Sequence, residues 1–461
     1  MVTSTQDFSN GTLAKKNETP NGQYVEKLDP APTHGTYFEN AEGLSSEHRQ
    51  YLLNRHGTYD LDPVPDMGDA DPYNWPQWKK VTNLTLVAIH ACMSTFTAAA
   101  IIPAYETIAL DLGVSLQRTT YLTSLQICIL GVAPLIWKPF SNTYGRRPLF
   151  LLSLICSLVG NIGCAKSPSY ATMAINGAQF ILYVFLGPET RYIRLGTSHP
   201  TSALKASYFT FSRIDPRPLT LRDFIHPLTL VLKPCILIPA VAYAMTFLFG
   251  SVLITVELPQ LFGQKFGFNA QQLGLQFLGL IIGSVIGEQL GGSMSDAWMA
   301  RRSRRKNGVR PQPEFRLWLS YAGFVLTIVG VVVFLVRTQQ AAQGKWNVSP
   351  VVGIAIAGAG NQVVTTVLIT YTVDCHLEES ASIGVFVTFV RQIWGFIGPF
   401  WFPNMFTSVG VAASAGVAAA LIVGVSIVPT IGIQLLGKRF RGKEDNVSPR
   451  MGSGVDVEEK A

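Results

Sequence analysis

A few ionisable side chains lie inside stretches that are otherwise apolar, and their chemistry needs an explanation. Arg391 lies within FVRQIWGFIGPFW, and Glu288 lies about five residues from the end of its own apolar run. A charge in hydrocarbon costs roughly 2.5–3.5 kcal/mol, so each of these charges needs a partner or a function. We predict that Arg391 pairs with Glu288 or Asp374 and that this pair borders a central cavity. A fixed salt bridge that only joins two helices is an equally good interpretation.

Three uncharged polar side chains are further candidates. His90 could relay protons because imidazole titrates near neutral pH, although a hydrogen-bonded packing histidine is the more common case. Asn361 and Gln362 lie in AGAGNQVVTT, where a buried amide must find a partner in a substrate cavity or on another helix. Glu106 and Glu257 lie at the ends of apolar runs, where they are either solvated or attract cationic substrates.

These side chains must be positioned by membrane helices. Charged residues make up only 14% of the 461 residues and hydrophobic residues 48%, a balance that a soluble chain of this length does not have. Helices are expected because backbone groups in lipid must be satisfied within their own segment. We predict an all-α polytopic membrane protein with ten apolar spans: 83–103, 121–137, 148–165, 171–187, 234–256, 273–293, 317–336, 349–371, 382–402 and 410–436.

The ten runs fall into a group of four and a group of six, separated by a polar, basic stretch. We predict five segments: a disordered tail over 1–80, a first half of four spans over 81–192, a basic loop over 193–233, a second half of six spans over 234–437, and a disordered tail over 438–461. An even number of spans places both termini on the same side of the membrane.

The distribution of positive charge predicts which side that is. Loops on one side carry seventeen Lys and Arg residues and loops on the other side carry five. Because positive loops stay on the side that is not translocated, both termini are predicted to be cytoplasmic. The same bias explains the net charge of +7, so ARRSRRKNGVR indicates a cytoplasmic loop better than a nucleic-acid surface.

Two loop segments resemble each other. KPFSNTYGRR follows the second run and GSMSDAWMARR follows the sixth; each has Ser before Asn or Asp, then a short turn and paired arginines. Such repeats are typical of secondary transporters. A separate glycine series, Gly279, Gly283, Gly287 and Gly291, recurs every four residues and predicts a close helix contact. That contact is either part of a moving interface between the halves or static packing.

On these motifs, together with DPYNWPQWKK, GPETRYIR and TYTVDCHLEES, the chain resembles the major facilitator superfamily, in particular its fungal drug:proton antiporter-like branch with polyamine or general-substrate members. Gly145, Arg146 and Arg147 match the end of the family's loop motif, whereas Asn142 replaces its Asp. The second copy keeps Gly292 and the residues that the resemblance assigns to gating, Asp296, Arg301 and Arg302. The resemblance implies that Asp296 pairs with Arg301 or Arg302, and that Asn142 weakens the matching gate.

The resemblance also implies a helical bundle with two pseudo-repeated halves of six spans each. This chain has four plus six, so about two spans are missing between SPSYATMAI and GPETRYIR. The expected function is proton-coupled transport of a small organic molecule, cationic or amphipathic, by alternating access. The expected protein is a monomer in the plasma membrane. The alternative is a transport-incompetent truncated or regulatory protein of the same family.

Enzymatic chemistry is not expected. The sequence has no nucleotide-phosphate loop, no paired Cys and His spacing for a metal and no nucleophile motif. We therefore predict no catalytic residues, no cofactor and no bound metal.

Overall fold

The structure is a computed structural model that describes residues 44–58, 61, 64–69, 71–163, 218–305 and 311–447. These residues form helices and turns and contain no strand. They belong to two compact units: one contains residues up to Asn74, and the other contains the helices from Trp75 onward. Each unit is described separately.

The first unit is built around helix α1, Ser46–His56. The Ser45 side chain accepts a hydrogen bond from the His48 amide, and Gly57 ends the helix with a φ of 74°. Leu52 is fully buried against Leu44 and Val64. The prediction of a disordered tail over all of 1–80 therefore differs from the structure from residue 44 onward, because a capped helix and a small apolar cluster order this segment. Residues 1–43 lie outside the described residues.

In the second unit, four helices precede residue 164. They are α2, Gln77–Ala99, α3, Tyr105–Leu112, α4, Leu116–Tyr144, and α5, Arg146–Gly163. Gly145 separates α4 from α5 with a φ of 93°, a backbone conformation that side chains other than glycine rarely adopt. The predicted sharp turn before the paired arginines is therefore present.

The remaining helices follow residue 217. They are α6, Leu221–Thr229, α7, Pro234–Phe247, α8, Ile254–Phe266, α9, Ala270–Arg305, α10, Trp318–Gln340, α11, Ser349–Cys375, α12, Ser380–Val409, α13, Val411–Leu421, and α14, Val428–Val447. Two π-helical turns, Leu248–Leu253 and Ile422–Ile427, join α7 to α8 and α13 to α14 without a break.

Seven helical segments in the described part of the chain are long and apolar enough to cross a membrane. They are Leu116–Tyr144, Pro234–Phe266, Ala270–Arg305, Pro313–Gln340, Ser349–Cys375, Leu377–Val409 and Val411–Phe440. Six of them contain the six predicted spans of the second half, and the seventh contains the run 121–137. The runs 83–103 and 148–165 fall mainly on α2 and α5, which are not among the seven. The run 171–187, most of the basic loop and residues 448–461 lie outside the described residues.

Helix α11 is held between α9 and α10 by glycine contacts. A Cβ atom added at Gly283 of α9 would lie 2.0 Å from the Ala355 carbonyl oxygen of α11, and one at Gly287 would lie 2.3 Å from that of Ala359. On the other side, a Cβ at Gly330 of α10 would lie 2.2 Å from the Ala357 nitrogen. The close approach at these glycines joins two helices of the second half. In this structure the contact therefore lies within one half and not between the two halves.

At one end of the bundle α4, α9 and α11 finish, and α7, α10 and α12 begin. We call it the basic end, because Lys138, Lys233 and Arg316 lie there; the other end is the opposite end. Helix α6 packs at the basic end, with the rings of Phe224 and Phe140 5.8 Å apart. Its first turn is capped by Asp223, whose pKa is lowered by a hydrogen bond from the Thr220 amide.

Candidate functional site

Arg391 lies in the middle of α12 and contacts aromatic side chains of α7. Its Nη1 donates a hydrogen bond to the Tyr243 hydroxyl at 2.8 Å. The guanidinium carbon lies 4.7 Å from the centre of the Phe247 ring and 5.7 Å from that of Tyr243, both within range of a cation–π interaction. The buried Nε has no hydrogen-bond partner.

The predicted pairing of Arg391 with Glu288 or Asp374 is wrong. Arg391 is eleven residues into α12, about 16 Å from the basic end, whereas Asp374 is in the last turn of α11 at that end. Asp374 instead pairs with Arg316, with Oδ2 and Nη2 3.3 Å apart. Glu288 is exposed on α9, which packs on α11, and its carboxylate bonds to that helix.

Glu288 and Gln362 are candidate residues that bond directly to each other. Gln362 Nε2 donates to Glu288 Oε2 at 3.2 Å, and Thr366 Oγ1 lies 3.4 Å from the same oxygen. This matches the interhelical alternative considered for Gln362. Asn361 lies on a different face of α11: its side chain is 5% exposed, its Oδ1 has no partner, and it packs near Gly250 in the π-helical turn.

His90 connects two helices of the first half. Its Nε2 lies 2.9 Å from Ser153 Oγ, and its ring meets the Phe150 ring edge-on at 5.8 Å. Both partners belong to α5, so these contacts connect His90 to neither Arg391 nor Glu288. The geometry is that of a hydrogen-bonded packing histidine.

A guanidinium clamp closes the basic end of the second half. Arg316 Nη1 donates to Ser295 Oγ at 2.6 Å and to Asp296 Oδ1 at 3.1 Å, and Nη2 reaches Asp374. The expected pairing of Asp296 with Arg301 or Arg302 is therefore wrong. Arg316 reaches Asp296 from the short helix Pro313–Leu317, which directly precedes α10. Arg302 instead lies over the Phe315 ring at 5.1 Å.

The first and second halves meet along α4 and α12. At the opposite end Gln117 Nε2 donates to the Pro399 carbonyl at 2.7 Å, and the Tyr121 ring stacks on Phe400 at 4.6 Å. At the basic end the Lys138 ammonium donates to Ser382 Oγ. The seam is therefore in contact at both ends, and opening either end requires these bonds to break.

Glu257 of α8 is buried near the opposite end. Its side chain is 2% exposed and its Oε1 has no hydrogen-bond partner, so the expectation of a solvated glutamate is wrong. Tyr105 from the first half lies within electrostatic range; burial is the main reason why the pKa of Tyr105 rises to about 12. The Tyr105 hydroxyl therefore keeps its proton and donates a hydrogen bond to Thr123 Oγ1 at 2.5 Å.

A cavity of about 100 Å³ lies between the first half and the part of α8 that follows this glutamate. Tyr105 and exposed Glu106 line one side, and Pro259 and Gln260 line the other. Gln260 Nε2 is buried and unpartnered. The opposite end thus combines a buried acid with a small space that contains polar groups.

Sequence reasoning missed Tyr243, Arg316 and the burial of Glu257. Tyr243 sits in a uniformly apolar stretch and carries no signal of its own. Arg316 was counted only as a loop charge, although its position directly before an apolar run could have indicated a helix-end partner. Glu257 lies at the end of an apolar run, and no local sequence pattern there indicates that it is buried.

The comparisons with known proteins point to one kind of relative. No family model matches the chain. The efflux pump radE of Floropilus chiversii is 22% identical, over 81% of this chain and 83% of that protein. The MFS (major facilitator superfamily) transporter eqxG of Fusarium heterosporum is 25% identical, over 68% and 74%. An uncharacterized transporter of Schizosaccharomyces pombe is 22% identical, over 92% and 95%.

The alignment with radE contains 454 positions but covers only 81% of this 461-residue chain, so it includes stretches of radE that have no counterpart here. With the apolar helices, these likenesses establish an integral, multi-pass, all-α membrane protein of the helical-bundle type found in such transporters.

Proposed function

We infer that this integral membrane protein, similar to fungal major facilitator superfamily transporters, carries a small organic molecule across a lipid bilayer. The observation that carries the inference is the polar site at Arg391 and Tyr243, which lies well inside the helical bundle, about 16 Å from its basic end. A fixed charge at that depth is expensive unless it serves a transported ligand or a structural bond. Relatives named as transporters favour the ligand. No catalytic role is proposed.

The proposed mechanism is alternating access along the seam between α4 and α12. Opening the opposite end would break the bond from Gln117 to Pro399, and opening the basic end would break the bond from Lys138 to Ser382. Either opening would expose the centre of the bundle to one side of the membrane. The described contacts at both ends are those of a closed state between these two openings.

Proton coupling is assigned to Glu257. A buried carboxylate without a cationic partner is costly, and binding a proton removes that cost. Because Tyr105 of the first half lies within electrostatic range of Glu257, relative movement of the halves would change the surroundings of this carboxyl group. Among the candidate residues, His90 is a weaker proton carrier because Ser153 and Phe150 already hold it.

Glu257→Gln should abolish transport that is driven by a pH gradient while leaving exchange driven by substrate concentration. The glutamine keeps the shape of the side chain but cannot exchange a proton. The measurement is flux in proteoliposomes with and without an imposed gradient. Glu106→Gln is the matched control, because Glu106 is exposed and adjacent to the same cavity. Gradient-driven flux that survives in Glu257→Gln would refute the assignment.

The expected orientation places the basic end and both termini in the cytoplasm, following the loop charges. The plasma membrane and a monomeric state are proposed by analogy with the family resemblance. Export is the proposed direction, because radE is named an efflux pump. A cationic or amphipathic cargo is the expectation from the sequence.

Asn142→Asp should strengthen closure at the basic end. The aspartate would restore the acidic residue of the first loop motif, and a closed basic end would become more populated. Spin labels at Trp137 and Leu377, both exposed at that end, would measure the change as a larger short-distance population. Asn142→Ala is the control variant, and identical distance distributions in Asn142→Asp and the parent would count against a gating role.

A transport-incompetent membrane protein is the second candidate. It is favoured by the alignment with radE, in which stretches are absent from this chain, as the resemblance predicts for about two spans. The two functions differ in flux: transport predicts a signal that is lost when the central site is altered. Silence from well-expressed, correctly folded protein in liposomes would favour the second candidate.

A further inference from the structure

We propose that Arg391, Tyr243 and Phe247 form a binding site for the carboxylate of an organic anion. This inference rests on the proposed transport function and names the class of its substrate. It departs from the cationic cargo expected from the sequence, because the charge at the centre of the bundle is positive.

Among the residues that the structure describes, Arg391 has no counter-ion. Its contacts there are one phenol oxygen and two aromatic rings, and none of them is a carboxylate. The two carboxylates expected to balance it are engaged elsewhere, Glu288 with Gln362 and Asp374 with Arg316. A guanidinium cannot relieve its burial by losing a proton at physiological pH. The site therefore carries one positive charge that no negative charge among the described residues balances.

Glu257 does not supply the missing charge. It lies fourteen residues after Tyr243 on the same continuous helical segment, about 21 Å further along the axis. A direct ion pair needs oxygen and nitrogen atoms within about 4 Å. The buried acid and the buried base are thus separate sites at different depths of the bundle.

Arg391 and Tyr243 also have hydrogen-bond donors that no described residue uses. Arg391 carries five N–H groups, and its buried Nε has no partner. Tyr243 accepts a bond from Nη1, so its own hydroxyl hydrogen remains available. A carboxylate accepts two parallel bonds from a guanidinium and a further bond from a hydroxyl. The available hydrogens match an anion, whereas a cationic ligand would meet only repulsion from Arg391.

One side of the site is formed by aromatic rings. The Phe247 ring covers the guanidinium at 4.7 Å and meets the Tyr243 ring at 6.2 Å. These rings cover part of the guanidinium and offer an aromatic surface to the body of a ligand. The preferred ligand is therefore an organic acid with an apolar or aromatic body rather than an inorganic anion.

The test uses the purified full-length protein in detergent and three probes of nearly equal shape: benzoate, benzamide and benzylamine. Benzoate should raise the thermal midpoint by several degrees, and the neutral and cationic probes should not. Arg391→Met should weaken the apparent affinity for benzoate about tenfold or more, as expected for loss of a charged hydrogen bond. The apparent affinity of Arg391→Lys for benzoate should lie between these two values, because lysine keeps the positive charge but lacks the planar guanidinium that bonds a carboxylate at two points.

Tyr243→Phe is the second variant, and it guards against a folding defect at position 391. It removes one hydroxyl and should weaken benzoate binding severalfold without moving the ligand-free midpoint. Arg304→Met, at an exposed arginine of α9, is the control that should leave binding unchanged. No benzoate shift, an equal shift with benzylamine, or a shift retained in both Arg391→Met and Tyr243→Phe would each overturn the proposal.

Flux separates this proposal from the proposed function. Benzoate binding that depends on Arg391, without flux of any probe in liposomes, would support the anion site and refute transport. Flux of benzylamine without Arg391-dependent binding of benzoate would support transport and refute the anion site.

Discussion

The substitution Gly283→Val will separate α9 from α11 and destabilise the second half. The Cβ of any side chain there would lie 2.0 Å from the Ala355 carbonyl oxygen and 2.6 Å from its carbon, where ordinary contact needs at least 3.4 Å. The obstructing atoms are backbone, so no rotamer change can relieve the clash. Overpacking of this kind costs about 1–3 kcal/mol or more, a large part of a total stability of about 5–15 kcal/mol.

The matched control is Gly292→Val, two and a half turns further along the same helix, where an added Cβ meets nothing within 4 Å. Both variants lose the same glycine and gain the same β-branched side chain, so helix propensity cancels. Thermal midpoints in detergent and the monodisperse fraction on size exclusion are the measurements. Equal losses in the two variants would contradict the close approach of α9 and α11.

Arg316→Ala will destabilise the basic end of the bundle, because the Arg316 guanidinium connects the start of α10 to α9 and to α11. Asp374 and buried Ser295 would each lose a bond from it, and the start of α10 would lose its tie to α9 and α11. Breaking a buried pair costs about 3–5 kcal/mol, but Asp296 is 79% exposed and adds little. We expect a loss of about 2–3 kcal/mol.

Arg316→Lys should recover only part of this stability, because a lysine cannot reach three acceptors from one planar group. Arg304→Ala is the matched control, since Arg304 is exposed on α9 at the same end. Denaturant unfolding of the full chain measures the difference. If the Arg316 contacts did not stabilise the fold, Arg316→Ala and Arg304→Ala would unfold at the same denaturant midpoint.

The six spans of the second half were predictable because length and continuous apolarity determine which segments can cross a bilayer. The ends of those helices were less predictable, and the capped helix α1 was missed because its apolar content is small. Spacing of Gly283 and Gly287 predicted a close contact, but not its partner, since periodicity defines a face without saying which helix lies against it.

The centre of the site was only half predictable. The cost of a charge in hydrocarbon indicated from the sequence that Arg391 and Glu288 need partners, and the cost of an unpaired amide indicated the same for Gln362. Assigning Arg391 to Glu288 or Asp374 failed because pairing depends on depth and on the rotation of each helix. Tyr243 could not be found at all, since a tyrosine in an apolar run has the same appearance whether it packs or binds.

The π-helical turn between Tyr243 and Glu257 has a consequence for direction. In an unbroken α-helix, fourteen residues return to within about 40° of the same azimuth, so the phenol and the carboxyl would project together. One additional residue in a π-helical turn moves the second by about another 100°, which leaves them about 140° apart. One continuous helical segment therefore directs the Tyr243 hydroxyl toward α12 and the Glu257 carboxyl toward the first half, on nearly opposite sides of its axis.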